Sequence, residues 1–370
     1  MHRIVAAMAA QPGRVMRAPT VRRVMAAALA LAVGATAGCT NFAYYMQSVD
    51  GHMRLLQARQ DISAVIADPA TPVPLKARLA RVLEIREFAS REMKLPDNLS
   101  YRGYADLRRP FVVWNVFAAG EFSVEPQRWC FPFAGCVGYR GYFSQQEAEA
   151  FAVGQARLGL DVFVGGVPAY STLGWFDDPV LNTFIHFPEH ELARLVFHEL
   201  AHQVAYARDD SEFNESFAVT VELEGVRRWI TAHGDEKMRA DFEVAQRRRA
   251  QFTGLVLRYR DKLAALYRSP LAPEEMRSRK QDEFKAMLDD YALLKHEWHG
   301  FAGYDRFFRT VSNANVASVS IYHALVPHFQ QMLVRHGGDM PAFYAEVRHL
   351  ARLEKAERAA RLNVYAGRSS

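Results

Sequence analysis

The chain has 370 residues, of which 50% are apolar and 24% are charged, so it is long enough to bury one large core or two smaller ones. Its formal net charge is +5, yet residues 1–38 hold five of the 46 basic residues and none of the 41 acidic ones. The other 41 basic residues balance the 41 acidic residues, so the composition gives no support for nucleic-acid binding.

The basic excess belongs to an N-terminal targeting segment. VRR precedes the apolar stretch MAAALALAVGATAG (25–38), which is too short for a stable membrane span. The small residues before Cys39 resemble the end of a bacterial lipoprotein signal, although Thr36 stands where leucine is usual. This resemblance implies a signal peptide over 1–38, lipidation of Cys39, a tether over 39–50, and a periplasm-facing protein anchored in the bacterial cell envelope. A simple cleaved signal and an uncleaved apolar anchor are the alternatives, and all three place the remainder outside the cytoplasm.

Residues 51–188 alternate between helical and strand-like patterns, which predicts an α/β part. Ser144 is placed to cap one helix and Gly159 to end it. The predicted helices are 52–67, 74–93 and 144–159, the predicted strands are 111–119, 121–126 and a buried strand at 161–167, and a turn-rich loop covers 169–179.

Cys130 and Cys136 lie in the sequence WCFPFAGC. Outside the cytoplasm, a cysteine pair that closes so short a loop predicts a disulfide bond. A two-cysteine metal site would lack a second cysteine pair, and two buried free thiols are the other alternative.

The pattern from residue 189 onward is almost wholly helical. The arginine run at 247–249 lies in a charged helix, and we interpret it as a solvated face. A small sheet beside many helices predicts an α+β fold that is predominantly helical, with one domain over 51–360 whose helical part is 189–360. The predicted helices are 189–207, 212–232, 235–268, 273–298, 318–336 and 340–360.

The sequence His198-Glu199-Leu200-Ala201-His202 carries the strongest functional signal. On a helix the two histidines lie one turn apart on the same face, where two imidazoles can reach one tetrahedral zinc ion. Glu199 is the next residue round the helix, so its carboxylate can take a proton from a water at the metal without binding the metal. Two histidines that pack in a core helix without a metal are the alternative.

A third protein ligand is expected on the helix that follows. Two helices joined by a short turn run antiparallel, so Glu215 in the first turn of the second helix can point back at the histidines. Its context, N-E-x-x-A from Asn214 to Ala218, favours Glu215 over the rival carboxylates. A first-turn glutamate that only complements the helix dipole is the alternative. The rivals are Glu212, Glu222 and Glu224.

FHELAHQ and FNESFA, with YRGYF and AYSTLGWFDDPVL upstream, resemble the bacterial family of predicted zinc aminopeptidases found as lipoproteins. The likeness covers most of residues 39–355. It implies a gluzincin-like metallopeptidase in which His198, His202 and Glu215 bind zinc and Glu199 is the general base.

Peptide hydrolysis needs further groups. A tyrosine or histidine can stabilise the oxyanion, and we favour Tyr322 over His323 and Tyr170 for this role. The segment 161–167 could pair with an extended peptide as an edge strand, or it could be an ordinary strand. An aminopeptidase also needs a carboxylate for the substrate amine. The candidates for that carboxylate are Asp177, Asp178, Glu222 and Glu224.

A second histidine pair occurs in His296-Glu297-Trp298-His299. Its histidines are three residues apart and no acidic partner motif is near, so we interpret it as a solvated helix end.

The sequence therefore predicts a zinc-dependent metallopeptidase, specifically an aminopeptidase, whose partners are a peptide substrate and a membrane. The alternative from another class is a non-catalytic envelope lipoprotein, a binding or assembly module in which the metal is structural or absent. A metal-dependent hydrolase that acts on other substrates is the third hypothesis. Structural zinc sites are usually closed by four protein ligands, so an open fourth position would favour catalysis.

Overall fold

The structure is a computed structural model, and it describes residues 44–131, 135–169, 171–320 and 325–366. Its contacts divide the chain after Asp50; residues 44–50 are helical, and the second unit, which begins at Gly51, contains everything that follows. Several predicted features lie outside the described residues: the signal segment 1–38, Cys39, and the candidate oxyanion donors Tyr170, Tyr322 and His323.

Eight short strands form two three-stranded sheets and one two-stranded hairpin in the described part of the chain. The first sheet has the order β1-β2-β8, the second has the order β6-β3-β7, and β4 pairs with β5. The strands are β1 (Gln60–Asp61), β2 (Gly103–Ala105), β3 (Val113–Ala119), β4 (Trp129–Phe131), β5 (Gly135–Val137), β6 (Arg140–Tyr142), β7 (Asp161–Val167) and β8 (Val180–Leu181).

The second sheet is built around β3, which has buried residues at six of its seven positions. β7 pairs antiparallel with β3 along its whole length, from Val113 opposite Val167 to Ala119 opposite Asp161. β7 is the edge of this sheet, and all seven of its residues are half-buried. The prediction of a buried strand here is therefore wrong, because β7 has a partner on one side only among the strands that the structure describes.

The predicted strand at 121–126 is also wrong. The segment is a turn with one isolated bridge, between Ala119 and Pro126. The carbonyl of Glu121 accepts hydrogen bonds from the side chains of Lys280 and Asn313, and its carboxylate pairs with Arg277. These contacts with helices replace the ladder that a strand would need.

Helices make up most of the described chain, so the predicted class, predominantly helical α+β, is confirmed. The helices are α1 (51–58 in this unit), α2 (Ile62–Ala67), α3 (Val73–Arg91), α4 (Gln145–Arg157), α5 (Glu189–Val204), α6 (Ser211–His233), α7 (Glu236–Tyr267), α8 (Pro273–Glu297), α9 (Asp305–Phe308), α10 (Asn313–Ser320), α11 (Val326–Arg335), α12 (Met340–Ala351) and α13 (Lys355–Leu362).

Three predicted helices are broken in the structure. The helix at 52–67 is interrupted by β1, where Asp61 pairs in the sheet and then caps α2. The helix at 318–336 is replaced by α10 and α11; Pro327 lies in the first turn of α11, where the missing N–H costs nothing. The helix at 340–360 is divided into α12 and α13, where Arg358 donates to the carbonyl of Leu350 in the last turn of α12 and to that of Leu353 after it.

The hairpin of α5 and α6 lies at the centre of the larger core. Phe197 on α5 and Phe213 and Phe217 on α6 have no exposed surface. A Cβ added to Gly225 would lie 2.4 Å from a ring carbon of Phe197, so glycine permits the two helices to approach closely at this point. This approach sets the distance between the two faces that carry the predicted site residues.

The turn between α5 and α6 is held by buried polar groups. The Asn214 side chain accepts a hydrogen bond from Ala207 N at 2.7 Å and donates one to Ala207 O at 2.8 Å. Asp210 caps α6 and forms a buried ion pair with Arg358 of α13 at 2.6 Å. The turn therefore has little freedom to change the angle between the two helices.

A disulfide-linked hairpin packs against the same turn. Cys130 and Cys136, opposite each other on β4 and β5, form a disulfide bond. Cys136 N donates to Asp209 Oδ1 at 2.6 Å, and Arg128 donates to the Asp209 carbonyl at 3.3 Å. The cysteine loop thus supports the connection between α5 and α6.

The Asp210–Arg358 pair should be a large stabilising contact. Because Arg358→Met would leave the buried Asp210 carboxylate with the exposed and more distant Lys355, at 3.6 Å, as its cation, we expect the free energy of unfolding to fall by up to about 3–5 kcal/mol. Arg361→Met on the same helix removes an exposed ion pair with Glu357 and an exposed contact with His349, so we expect a loss of about 0–1 kcal/mol. Urea unfolding of the two variants measures the difference, and equal losses would contradict the role of the pair.

Candidate metal centre

Helix α5 presents both histidines of the H-E-x-x-H sequence on one face. The Nε2 atoms of His198 and His202 are 3.2 Å apart, and their rings are nearly perpendicular. The helix has no proline or glycine between Glu189 and Val204, and its N-terminal turns are buried in the core. Both rings are therefore held in place by a rigid, packed element.

Helix α6 brings Glu215 to the same point. Glu215 Oε2 lies 3.3 Å from His198 Nε2 and 3.8 Å from His202 Nε2. Tetrahedral ligand atoms about 2.0–2.1 Å from a zinc ion lie roughly 3.3 Å from one another. The three donor atoms thus have a spacing that suits one small metal ion, and among the described residues they form the group of His, Cys, Asp and Glu side chains that could hold one.

The rival carboxylates do not join this group. Glu224 pairs with Arg227 and Arg228, and Glu222 binds the opposite nitrogen of His198. Glu212 is not in the group of converging donor atoms. The structure therefore brings Glu215 to the histidines and leaves the other three glutamates outside the ligand group.

The charges around the rings favour a cation between them. Burial opposes the charged form of His198, but hydrogen bonds with Glu215 and Glu222 and their negative charges outweigh burial and raise its pKa to about 10. Burial lowers the pKa of His202 to about 4, so this ring keeps a lone pair free near neutral pH. A divalent ion would supply the positive charge that the carboxylates favour.

A series of ion pairs holds His198 at Nδ1, the ring nitrogen that points away from Glu215. His198 Nδ1 donates to Glu222 Oε2 at 2.9 Å, so Nε2 is the nitrogen that faces Glu215 and would bind a metal ion in place of its proton. The same Glu222 oxygen accepts from Arg194 at 2.9 Å, and Arg194 also binds Glu191 at 2.7 Å. Burial opposes ionisation of Glu222, but Arg194 and His198 outweigh it and lower its pKa to about 2. His202 differs, because its Nδ1 has no partner among the described residues.

Sequence reasoning missed this support, although part of it leaves a local signal. Arg194 precedes His198 by one helical turn, and Glu222 follows Glu215 by two turns, so both lie on the faces that form the site. Arg249 has no such signal. It comes from α7, bonds to Glu191 at 3.0 Å, and lines the site cavity, so interpreting the 247–249 run as a solvated face is wrong for Arg249.

A cavity of about 240 Å³ opens beside His198 and Glu199. Its other walls come from the end of β7 and the two residues after it, and from α5, α6 and α7. These are Val167, Pro168, Ala169, Arg194, Leu195, Val219, Glu222 and Arg249. A larger cavity of about 670 Å³ lies between α3 and α6, but none of its lining residues belongs to the group of donor atoms.

Glu199 faces this cavity without joining the ligand group. Burial, reinforced by the charges of Glu215 and Asp178, raises the pKa of Glu199 to about 7 against the opposing charge of His198. A carboxylate whose pKa lies near neutrality is suited to accept a proton and then donate it.

The other predicted residues are dispersed. Asp178 is buried, whereas Asp177 is half-buried and lines a separate cavity. His296, Glu297 and His299 are exposed where α8 ends. Tyr322, His323 and Tyr170 lie outside the described residues, so their roles stay predictions.

The fold and the site together define a class of protein: a mostly helical α+β protein whose two histidines and one glutamate form a group that could bind a metal beside a cavity. No helix within the described ranges is both long and apolar enough to cross a membrane. Residues 43–362 match the sequence model of the family described as "Putative aminopeptidase", and the chain belongs to that family. Membership supports a peptidase activity. Searches of curated proteins and of solved structures gave no match.

The Glu222 carboxylate, which accepts a hydrogen bond from His198 Nδ1, should control the affinity for a metal ion. Glu222→Gln removes the charge that polarises His198 but keeps the shape of the side chain, so we expect affinity for a divalent metal ion to fall about 10–100-fold. Glu224→Gln on the same helix should leave the affinity unchanged, because Glu224 binds only arginines. Competition with a chromophoric chelator measures both variants, and equal affinities would exclude the proposed support of His198.

Proposed function

We propose that this protein is a zinc-dependent metallopeptidase, specifically an aminopeptidase, and that Glu199 is its general base. One observation carries the proposal: His198, His202 and Glu215 converge on one point, and Glu199 lies beside them on a cavity. The family to which the chain belongs supports the same reaction class.

The donor set supports zinc as the metal. Two imidazole nitrogens and one carboxylate oxygen are ligands that zinc uses in hydrolytic enzymes, with the fourth position left to water or substrate. The described residues offer these three ligands and no cysteine at the group, since Cys130 and Cys136 are joined to each other. A structural zinc would be expected to have a fourth protein ligand, so the three-ligand group favours catalysis over the binding-module alternative.

The chemistry assigns a separate task to each group. Zinc held there would act as a Lewis acid that lowers the pKa of a water and polarises the scissile carbonyl. Glu199 takes the proton from the attacking water and passes it to the leaving nitrogen. Glu222 and Arg194 hold His198 in the tautomer that presents Nε2. Tyr322 remains our candidate for stabilising the oxyanion.

An edge strand beside the cavity is a candidate surface for the peptide. β7 pairs only with β3 among the described strands, and its last residue, Val167, lines the cavity wall together with Pro168 and Ala169. An extended peptide could add to the edge of β7 that no described strand pairs with, through backbone hydrogen bonds, and direct its scissile bond toward Glu199.

We also propose that the protein is lipid-anchored through Cys39 and faces the periplasm. The disulfide bond supports an oxidising compartment, and the apolar stretch that ends at Cys39 supports lipidation. A lipid anchor would tether the peptidase without a membrane-spanning helix.

Glu199→Gln separates metal binding from catalysis. Because glutamine cannot accept the proton, we expect the rate of peptide hydrolysis to fall about 10²–10⁴-fold with zinc content unchanged. Hydrolysis of a set of peptides with free N-termini, together with zinc analysis, measures both quantities.

Glu297→Gln is the matched control, since Glu297 stands between the exposed histidines at the end of α8 and should be silent. Full activity in Glu199→Gln would remove Glu199 as the base. A zinc-loaded wild-type protein that cleaves no peptide would favour the binding-module alternative.

Cys39→Ser tests the anchor. We expect the full-length protein to move from the membrane fraction to the soluble fraction of lysed cells, because a serine cannot carry the thioether-linked lipid. Cys130→Ser should not release the protein from the membrane. An unchanged membrane fraction for Cys39→Ser would contradict lipidation at this residue.

A further inference from the structure

On the proposed function, on which this inference rests, a carboxylate of the protein must bind the positively charged amine of the substrate. Three of the four carboxylates that the sequence offers for binding the substrate amine are excluded by the structure. Glu222 already accepts from His198 and Arg194, and Glu224 is paired with two arginines. Asp177 lines a different cavity with Trp175 and Phe176. Asp178 remains.

Asp178 is a buried carboxylate of which only one oxygen has partners. The residue is 2% exposed. Oδ2 accepts from Thr172 N at 2.9 Å and from the Ser171 hydroxyl at 3.5 Å, whereas Oδ1 is buried with no hydrogen-bond partner among the described residues. A buried carboxylate oxygen without a donor is costly, so the site is incomplete until a donor or cation reaches it.

Hydrogen bonds hold Asp178 near the catalytic helix. Tyr101 N donates to the Asp178 carbonyl at 2.6 Å, and the neighbouring Ser100 hydroxyl accepts from Gln203 at 3.2 Å. Gln203 directly follows His202 on α5. The turn before Asp178 reaches the same helix, because a Cβ on Gly174 would lie 3.5 Å from the Gln203 side chain.

The environment of Asp178 also favours a cation beside it. Burial raises the pKa of Asp178 itself to about 6, even though Thr172 and Ser171 bind its ionised form. A nearby cation would stabilise the ionised carboxylate that burial disfavours.

The balance of charge also favours a cationic substrate group. Five carboxylates lie in or around the site, and two arginines and one divalent ion would leave one negative charge. A substrate ammonium would neutralise it. The carboxylates are Glu191, Glu199, Glu215, Glu222 and Asp178, and the arginines are Arg194 and Arg249.

We propose that Asp178 Oδ1 binds the N-terminal ammonium group of the peptide and thereby restricts cleavage to peptides with a free amine. Ser171 and Thr172 orient the carboxylate through Oδ2. Because Oδ1 is buried, the ammonium group reaches it only when the turn formed by residues 171–176 moves aside. The buried site then gives a strong, desolvated ion pair.

The test compares Asp178→Asn with Asp177→Asn in the full-length, zinc-loaded protein. Each variant is assayed on an unblocked aminoacyl p-nitroanilide and on its N-acetylated form. We expect Asp178→Asn to lower kcat/KM for the unblocked substrate by roughly 10²-fold, mainly through KM, and to abolish the preference for the free amine. Asp177→Asn should keep the wild-type preference.

The ratio of the two rates is measured within one preparation, so a partly unfolded variant does not disturb it. An Asp178→Asn enzyme that keeps the wild-type ratio would overturn the role of Asp178 while leaving the peptidase proposal intact. A wild-type protein that cleaves neither these substrates nor free peptides would overturn both proposals together.

Discussion

The convergence of two imidazoles and a carboxylate inside the α5–α6 hairpin is the constraint on which the rest of the structure depends. Three groups within 3.2–3.8 Å of one another, largely removed from water, need a cation among them. The hairpin can hold them there only if its turn and its helix separation are fixed. The buried Asp210–Arg358 pair and the amide of Asn214 fix the turn, and the contact of Gly225 with Phe197 fixes the separation. The stability of these remote contacts is thus part of the site.

The site could be predicted from the sequence where its geometry is local. His198, Glu199 and His202 follow from one helical turn, and Glu215 follows from a short turn between antiparallel helices. Contacts from distant elements leave no such trace. Arg249 reaches the site from α7, 47 positions after His202 in the sequence, and Asp178 comes from a loop whose position depends on the β2–β8 pairing and on Tyr101. Only the tertiary structure shows which contacts Arg249 and Asp178 make.

The fold shows the same division between local and long-range information. Helical periodicity gave the class and most helices, because an apolar face is a local property. Periodicity gave a wrong prediction where side chains from distant elements form hydrogen bonds with the backbone. Lys280 and Asn313 capture the carbonyl of Glu121 and prevent a strand, and Arg358 captures the carbonyls that end α12. β1 interrupts a helical pattern because it pairs with β2. That partner lies more than 40 residues away in the sequence, so local periodicity does not reveal it.

The most direct test of the metal centre is the zinc K-edge X-ray absorption spectrum of the purified protein loaded with one equivalent of zinc. Our account predicts two imidazoles and two oxygen donors at about 2.0–2.2 Å, with no sulfur, because Glu215 supplies one oxygen and the three protein ligands leave one position to solvent. Loss of the carboxylate contribution in Glu215→Ala would identify that ligand. A spectrum with four protein ligands, or failure to bind one equivalent of zinc, would contradict the account and make His198 and His202 structural residues of the core.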